Sequence, residues 1–263
     1  MLCAKQKSTG EFVTAYLASK TNAPFFCPEC GDEVILKTGT EKVNYFAHKN
    51  PLVCRYDANE SAEHRQCKFE IYQALLRQPN VEKAAMERPL GSNRPDVSAY
   101  INGNPVAIEI QISSLSEETI KFRTMEYARK GIYVLWLLLW TPELADMRYS
   151  PRSWEKWIHA TYFGNVYYWI EGLTVACYNF EPNLQSVPKK SWYSENGKKM
   201  TVGGYTRRSK RYRTAIRGET LNLVNDFSPK DRDWWEGTGI TIPFAKLFMH
   251  RSNFSSLRPR RKN

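Results

Sequence analysis

The chain lacks any apolar stretch long enough to cross a bilayer. Its longest apolar run, Val134 to Trp140, falls far short of the roughly 20 residues that a spanning helix needs. Its first residues show no basic-then-apolar leader, so no membrane insertion is expected and a cytoplasmic location is. A Gly-rich phosphate loop, an HExxH helix and a GxSxG elbow are also missing, and with them the chemistries those motifs carry. Cysteine is scarce: six in 263 residues are too few for a disulfide scaffold. There is no internal repeat, and low complexity is confined to the last few residues. What is present is a hydrophobic content of 42 %, enough to bury a sizeable core in one large or two modest domains.

The formal net charge of +11 is unevenly placed. Residues 183–263 hold 18 Lys/Arg against 6 Asp/Glu, whereas residues 1–182 hold 20 against 21. Within the basic part, Arg207, Arg208, Lys210, Arg211 and Arg213 fall within seven positions. Such asymmetry fits an electrostatic footprint for a polyanion, or else a solvated basic surface ending in the tail Arg258-Pro259-Arg260-Arg261-Lys262.

Breakers and periodicity divide the chain into residues 1–59, 60–141 and 142–263. The first part reads as short strands and turns around cysteines. Glu60 to Gln78 reads as a helix with Phe69, Tyr72, Leu75 and Leu76 on its apolar face, ended by Pro79. Three strands follow, Val81–Leu90, Asp96–Ile101 and Val106–Ile112, the last two joined through Asn102-Gly103-Asn104 as a hairpin. Ser114 and Glu117 form a capping box for a helix to Lys130 with Gly131 as its stop, and Ile132 to Trp140 is a buried strand. This α-β-β-β-α-β order predicts an α/β fold with a mixed sheet. In the third part the aromatics Trp154, Trp157, Tyr167, Tyr168 and Trp169 read as core rather than as base-stacking platforms.

Two carboxylates carry the chemistry. Asp96, in Arg94-Pro95-Asp96, begins one strand, and Glu109, in Ala107-Ile108-Glu109-Ile110-Gln111, lies on the next. They can meet at one end of a sheet as two hard oxygen ligands for Mg²⁺ (or Mn²⁺), a metal-nuclease pattern. Strand alternation puts Glu109 and Gln111 on one face. The alternative is a salt bridge from Glu109 to Arg94 or Arg123. On the preceding helix Glu60, His64 and Lys68 are four residues apart with Ser61 and Glu63 flanking, so acid, imidazole and ammonium can reach one pocket or remain a solvated face.

Cys27-Pro28-Glu29-Cys30, with His48 and Cys54, supplies a Cys₃His tetrahedron suited to structural Zn²⁺. His64 or Cys67 can stand in for Cys54. A thioredoxin-like role is disfavoured because no βαβ pattern surrounds the CxxC.

Together, Glu60-Ser61-x-x-His64-x-x-x-Lys68, Glu87, Arg94-x-Asp96-Val97, Ile108-Glu109-Ile110-Gln111-x-Ser113 and Arg123-x-x-x-Tyr127 resemble the competence protein CoiA family of the PD-(D/E)xK nuclease superfamily. Phe26-Cys27-Pro28-x-Cys30-Gly31 and Tyr45-Phe46-Ala47-His48 resemble that family's zinc-binding region. The resemblance implies a restriction-endonuclease-like core over residues 60–141, between a zinc module and a C-terminal extension. It also implies a Mg²⁺-dependent deoxyribonuclease in which Asp96 and Glu109 hold the metal. The superfamily usually has Lys where this chain has Gln111, which hydrogen-bonds but brings no charge; Lys68 is the candidate to take over that role. Glu60, Glu63 and His64 complete the expected catalytic set. Arg94, Arg123 and the basic cluster from Arg207 to Arg213 are the expected DNA contacts. The rival reading is a non-catalytic DNA-binding or adaptor module that serves uptake or recombination through a partner protein.

Overall fold

The computed structural model describes residues 1–40, 42–50, 54, 60–111, 115–237 and 239–251. The first five strands, β1 (Cys3–Gln6), β2 (Phe12–Thr14), β3 (Phe25–Phe26), β4 (Glu33–Lys37) and β5 (Tyr45–His48), form an antiparallel sheet ordered β2-β1-β3-β4-β5. Alternation in β4 turns Val34 and Leu36 inward, where they join Phe25, Phe46, Cys27 and Cys54 in a small core.

Helix α1 (Ala62–Leu75) starts where Ser61 Oγ accepts the His64 N–H. Cys67, Ile71, Tyr72 and Leu75 are buried, while Leu76 lies past the last turn and is exposed, contrary to the expected apolar face. Strands β6 (Val81–Met86), β7 (Val97–Ile101) and β8 (Asn104–Gln111) form an antiparallel meander. The first ends at Met86 rather than Leu90 because Glu87 adopts a left-handed φ of 49°. The β7–β8 connection is a two-residue turn, with φ of 49° at Asn102 and 76° at Gly103, the positive pair that an Asn-Gly hairpin supplies.

Helix α2 (Glu117–Arg129) is capped by Ser116, which accepts the Thr119 N–H. The capping box expected at Ser114, and the strand end expected at Ile112, lie outside the described residues. Strand β9 (Tyr133–Leu139) then runs parallel to β8. The α-β-β-β-α-β order and the mixed sheet are thus present.

The sheet does not stop at residue 141. Helix α3 (Ser153–Thr161) leads to β10 (Val166–Glu171), parallel to β9, and then to the long antiparallel strands β11 (Thr174–Val187) and β14 (Tyr205–Asn222). The path is β14-β11-β10-β9-β8-β7-β6, and the main core runs continuously across residue 141. Trp154, Trp157, Tyr167 and Tyr168 are buried in it, as expected. Beyond the sheet, the distal parts of β11 and β14 form an exposed ribbon, with the small hairpin of β12 (Lys190–Tyr193) and β13 (Lys199–Val202) between them. Two further pairs close the chain: β15 (Phe227–Arg232) with β18 (Ala245–His250), and β16 (Trp235–Gly237) with β17 (Ile240–Ile242). β18 shares one edge of β9 with β10, pairing at Val134 while β10 pairs at Leu137 to Leu139.

The central strand is pinned by one side chain. The buried Tyr162 hydroxyl accepts the Trp136 N–H at 3.2 Å and donates to the Val134 carbonyl at 2.7 Å. Tyr162→Phe strands both backbone groups in the core and should cost about 1–3 kcal/mol. Urea denaturation checks this; an unchanged midpoint would show that β9 does not depend on the bond.

Candidate functional site

The face of α1 predicted from four-residue spacing is buried against the sheet. Lys68, 3 % exposed, points its ammonium at three carboxylates. It pairs with Glu60, with Glu87 Oε1 at 2.7 Å and with Asp96 Oδ1 at 3.5 Å. Burial pulls the Lys68 pKa down, but Glu87, Asp96 and Glu60 outweigh it and hold the ammonium well above its ordinary value.

Asp96, just ahead of β7, is latched on two sides. Its Oδ2 accepts the Ile110 N–H of β8 at 2.8 Å and lies 3.3 Å from His64 Nε2. That imidazole nitrogen is buried and makes no aligned hydrogen bond. Burial acts to raise the Asp96 carboxyl, yet His64, Lys68 and the Ile110 N–H together hold it well below the carboxylate range.

Glu109 is next to Ile110 on β8 and 1 % exposed. It takes the Arg123 guanidinium and the Tyr127 hydroxyl of α2 on one oxygen. The salt-bridge alternative for Glu109 is therefore the arrangement adopted, with Arg123 and not Arg94 as partner. Burial, aided by the Asp96 charge, pushes the Glu109 carboxyl up to about 7 against Arg123 and Tyr127. Gln111, at the end of the same strand, is buried.

The zinc set assembles as well. Donor atoms of Cys27, Cys30, His48 and Cys54 all lie within 4.8 Å of one another, with Cys27 Sγ 3.9 Å from Cys54 Sγ and Cys30 Sγ 3.3 Å from His48 Nε2. Three thiolates and an imidazole at this separation fit a structural zinc ion. Neither alternative to Cys54 is present, since His64 faces Asp96 and Cys67 packs in the main core. Among the described residues this is the group whose donors converge so closely.

Several expected roles change. Glu63 is exposed in the first turn of α1, where its own N–H and Ser61 hold its carboxyl down, so it caps the helix and takes no part in the cluster. Arg94 donates to the Glu87 carbonyl and carboxylate, and Arg123 to Glu109 and the Arg94 carbonyl. Both expected DNA contacts are thus engaged inside the protein. Arg207, Arg208, Lys210 and Arg211 are exposed on β14, but Arg213 folds back onto the Ser209, Lys210 and Tyr212 carbonyls of a bulge. Glu87 went unassigned by sequence reasoning. It accepts Lys68, Arg94 and the Leu2 and Cys3 N–H groups at 3.0 and 3.1 Å, tying the N-terminal module to the core. Its appearance in the motif set was the available signal.

Residues 60–151 match the model for the Competence protein CoiA nuclease-like domain, and residues 12–57 that for the Competence protein CoiA N-terminal domain, together just over half of the chain. Competence protein CoiA of Bacillus subtilis (strain 168) is 33 % identical over 115 residues, 43 % of this chain and 31 % of that protein. The match thus spans about a third of that relative's length. No solved structure matches.

Two outcomes follow. Cys27→Ser, or chelation of zinc, should destabilise the first 54 residues far more than the main core, because thiolate ligation is linked to folding; amide hydrogen exchange resolves the two regions, and equal protection would remove the metal site. In metal-free protein the raised Glu109 pKa contributes stability below about pH 4.5 that is lost as pH rises through about 7. Glu109→Gln should remove that loss, gaining on the order of 3 kcal/mol on wild type between pH 4.5 and 8. Parallel pH profiles of denaturation would contradict the raised carboxyl.

Proposed function

Because the chain belongs to the CoiA family, we propose that it is a metal-dependent deoxyribonuclease with a PD-(D/E)xK-type core over residues 60–141, acting in DNA uptake, recombination or processing. One observation carries this reading: the Ile110 N–H holds Asp96 against the strand residue next to Glu109, with His64 and Lys68 closing the other side. The partly buried Asp96 and the buried Glu109 thereby stand on neighbouring segments, near enough for the Asp96 charge to act on the Glu109 carboxyl.

The donor types suit a divalent cation, although these donors do not converge as closely as the zinc set does. Asp96 and Glu109 offer hard oxygens, and His64 Nε2 is a buried nitrogen without a hydrogen bond. Asp96 and Glu109 would hold Mg²⁺ or Mn²⁺, which lowers the pKa of a bound water at neutral pH. The chain's own groups do the rest. Lys68, fixed as a cation by three carboxylates, supplies near Asp96 the positive charge that Gln111 lacks. Gln111 can orient a phosphate oxygen or a water through its amide. Arg123 and Tyr127 position Glu109. The exposed cluster Arg207, Arg208, Lys210 and Arg211 holds the DNA backbone outside the pocket.

A second reading, a DNA-binding or adaptor protein on the same core, is favoured by the engagement of Glu109 with Arg123 and by Gln111. Incubation with Mg²⁺ or Mn²⁺ over single-stranded, duplex and branched DNA separates the two. Asp96→Ala and Glu109→Ala should each abolish cleavage with DNA affinity nearly intact; full activity in either variant would sink the assignment, and binding without products would favour the adaptor. Neutralising Arg207, Arg208, Lys210 and Arg211 should lower both affinity and salt dependence, the slope falling by roughly 0.7 to 0.9 for each phosphate that the variant no longer neutralises. An unchanged slope would make them solvated surface.

A further inference from the structure

The distal ribbon is a basic arm. Residues 184–211 hold eight Lys/Arg against one Asp/Glu. Among the described residues none of these cations makes an ion pair, unlike Arg94 and Arg123, which meet Glu87 and Glu109. Two ladders follow one another along the arm: Leu184 to Val187 pair with Arg208 to Tyr205, and Lys190 to Tyr193 pair with Val202 to Lys199. The joint between them is tight. Gly204 donates its N–H to the Val187 carbonyl at 2.8 Å, and a Cβ at Gly203 would stand 2.1 Å from the Pro188 oxygen, so only glycine fits. The hairpin of β12 and β13 therefore continues the ribbon and does not hang on a loose linker.

The arm displays side chains on both faces. Every residue of β12 and β13 is exposed, Trp192 to 50 % and Tyr193 to 71 %. Trp192 lies opposite Met200, and Lys190 opposite Val202. Strand alternation puts these four on one face, and Tyr193 with Lys199 on the other. Arg207 and Arg208, consecutive on β14, likewise take opposite faces. A two-stranded hairpin with neither face covered is marginal by itself in water, and exposed apolar groups rimmed by charge mark a contact surface.

Charge and shape select what covers it. Cations without counter-charges call for a polyanion, and their placement on two faces calls for one that stands on two sides. A single strand follows one face and leaves the charge of the other uncompensated, whereas a duplex groove has a phosphate wall on each side. The major groove, about 12 Å wide, admits a two-stranded ribbon, and the minor groove, about 6 Å wide, does not. Four pairs in each ladder, at about 3.4 Å apiece, reach roughly 27 Å along such a groove, or about eight base pairs. We infer that this arm lies in the major groove of a DNA duplex, its Lys and Arg side chains on the phosphates of both walls and the Trp192–Met200 face on the base edges. The inference rests on the reading of the Arg207–Arg211 cluster as a DNA contact, and deepens it by making a duplex section part of the substrate.

The test uses the full chain without added Mg²⁺ or Mn²⁺, with a mixed-sequence duplex and one of its two strands as probes in fluorescence anisotropy. The duplex should bind about tenfold tighter than the single strand. Trp192→Ser, at an exposed position, should weaken duplex binding about tenfold, as for the loss of about half of a tryptophan's burial. Lys190→Gln combined with Lys199→Gln leaves the Trp192–Met200 pair intact and should lower the duplex salt slope by roughly 0.9 for each phosphate no longer neutralised. Methyl green, which occupies the major groove, should displace the protein, and distamycin, which occupies the minor groove, should not. A single strand bound as tightly as the duplex, variants that bind the duplex as wild type does, or displacement by distamycin alone would overturn the proposal. A Trp192→Ser variant that binds duplex normally but changes the oligomeric state in light scattering would make this face a contact between two copies of the chain instead. Should the hairpin variants be silent while neutralising Arg207, Arg208, Lys210 and Arg211 still lowers the salt slope, the arm falls and the DNA contact stands. Duplex preference carried by the hairpin, without cleavage by wild type under Mg²⁺ or Mn²⁺, would keep the arm and remove the cleavage centre.

Discussion

The Lys68 ammonium is the interaction on which the rest of the site depends. A buried cation is tolerable only when partners compensate it, and losing one side of such a pair costs about 3–5 kcal/mol. Here compensation comes from three directions: Glu60 ahead of the helix, Glu87 after β6 and Asp96 ahead of β7. Each of these points is a junction between a helix or strand and a turn. One charge therefore fixes how α1 sits on the meander. Glu87 extends the constraint further, because its carboxylate also binds the Leu2 and Cys3 N–H groups. The N-terminal sheet is thus held to the core through the same cluster, and its position is tied to the state of Lys68.

The two strand carboxylates then acquire opposite characters although they are brought close by adjoining strands. Asp96 faces His64, Lys68 and a backbone N–H, all of which favour its ionised form. Glu109, behind it, loses more to burial than Arg123 restores. Paired acids pushed apart in this way are a pattern of sites that divide labour between groups. The division follows from packing alone: α1 contributes charge to one side of β8, whereas α2 contributes a guanidinium and a phenol to the other.

Much of this was legible in the residues. Four-residue spacing put His64 and Lys68 on one face of α1, with Glu60 reaching Lys68 from just ahead of the helix rather than on it, and Asn102-Gly103 fixed the hairpin that brings Asp96 to Ile110. Metal-ligand spacing found Cys27, Cys30, His48 and Cys54. What was not legible depended on direction. Arg94 and Arg123 read either as DNA contacts or as salt-bridge partners of Glu109, because a sequence does not say whether a guanidinium meets phosphate or a buried carboxylate. Glu87 stayed hidden because its role needs a left-handed backbone and main-chain donors some 80 residues away. The continuation of the sheet past residue 141 was hidden for a different reason. β14 is so rich in Arg and Lys that it reads as a solvated basic stretch, yet its proximal part, which includes the buried Leu221, pairs with β11 across a bulge.

That continuation changes how the polar pocket is framed. A core ending at β9 would leave the carboxyl ends of β8 and β9 open to solvent, and Gln111 would stand on an exposed rim. Instead β10 takes the end of the β9 edge that β18 leaves vacant. The segment between β9 and α3 must then fold back over the strand ends to reach β10. It is held there by the Tyr149–Arg213 and Asn183–Met147 bonds to the ribbon strands. The wall around Gln111 is consequently built from residues outside the Asp96–Glu109 motif and shaped by the basic ribbon. Two chains with the same carboxylates but a different ribbon would present different cavities beside Gln111, so the shape of this end of the sheet is set by residues 142–213 rather than by the motif itself.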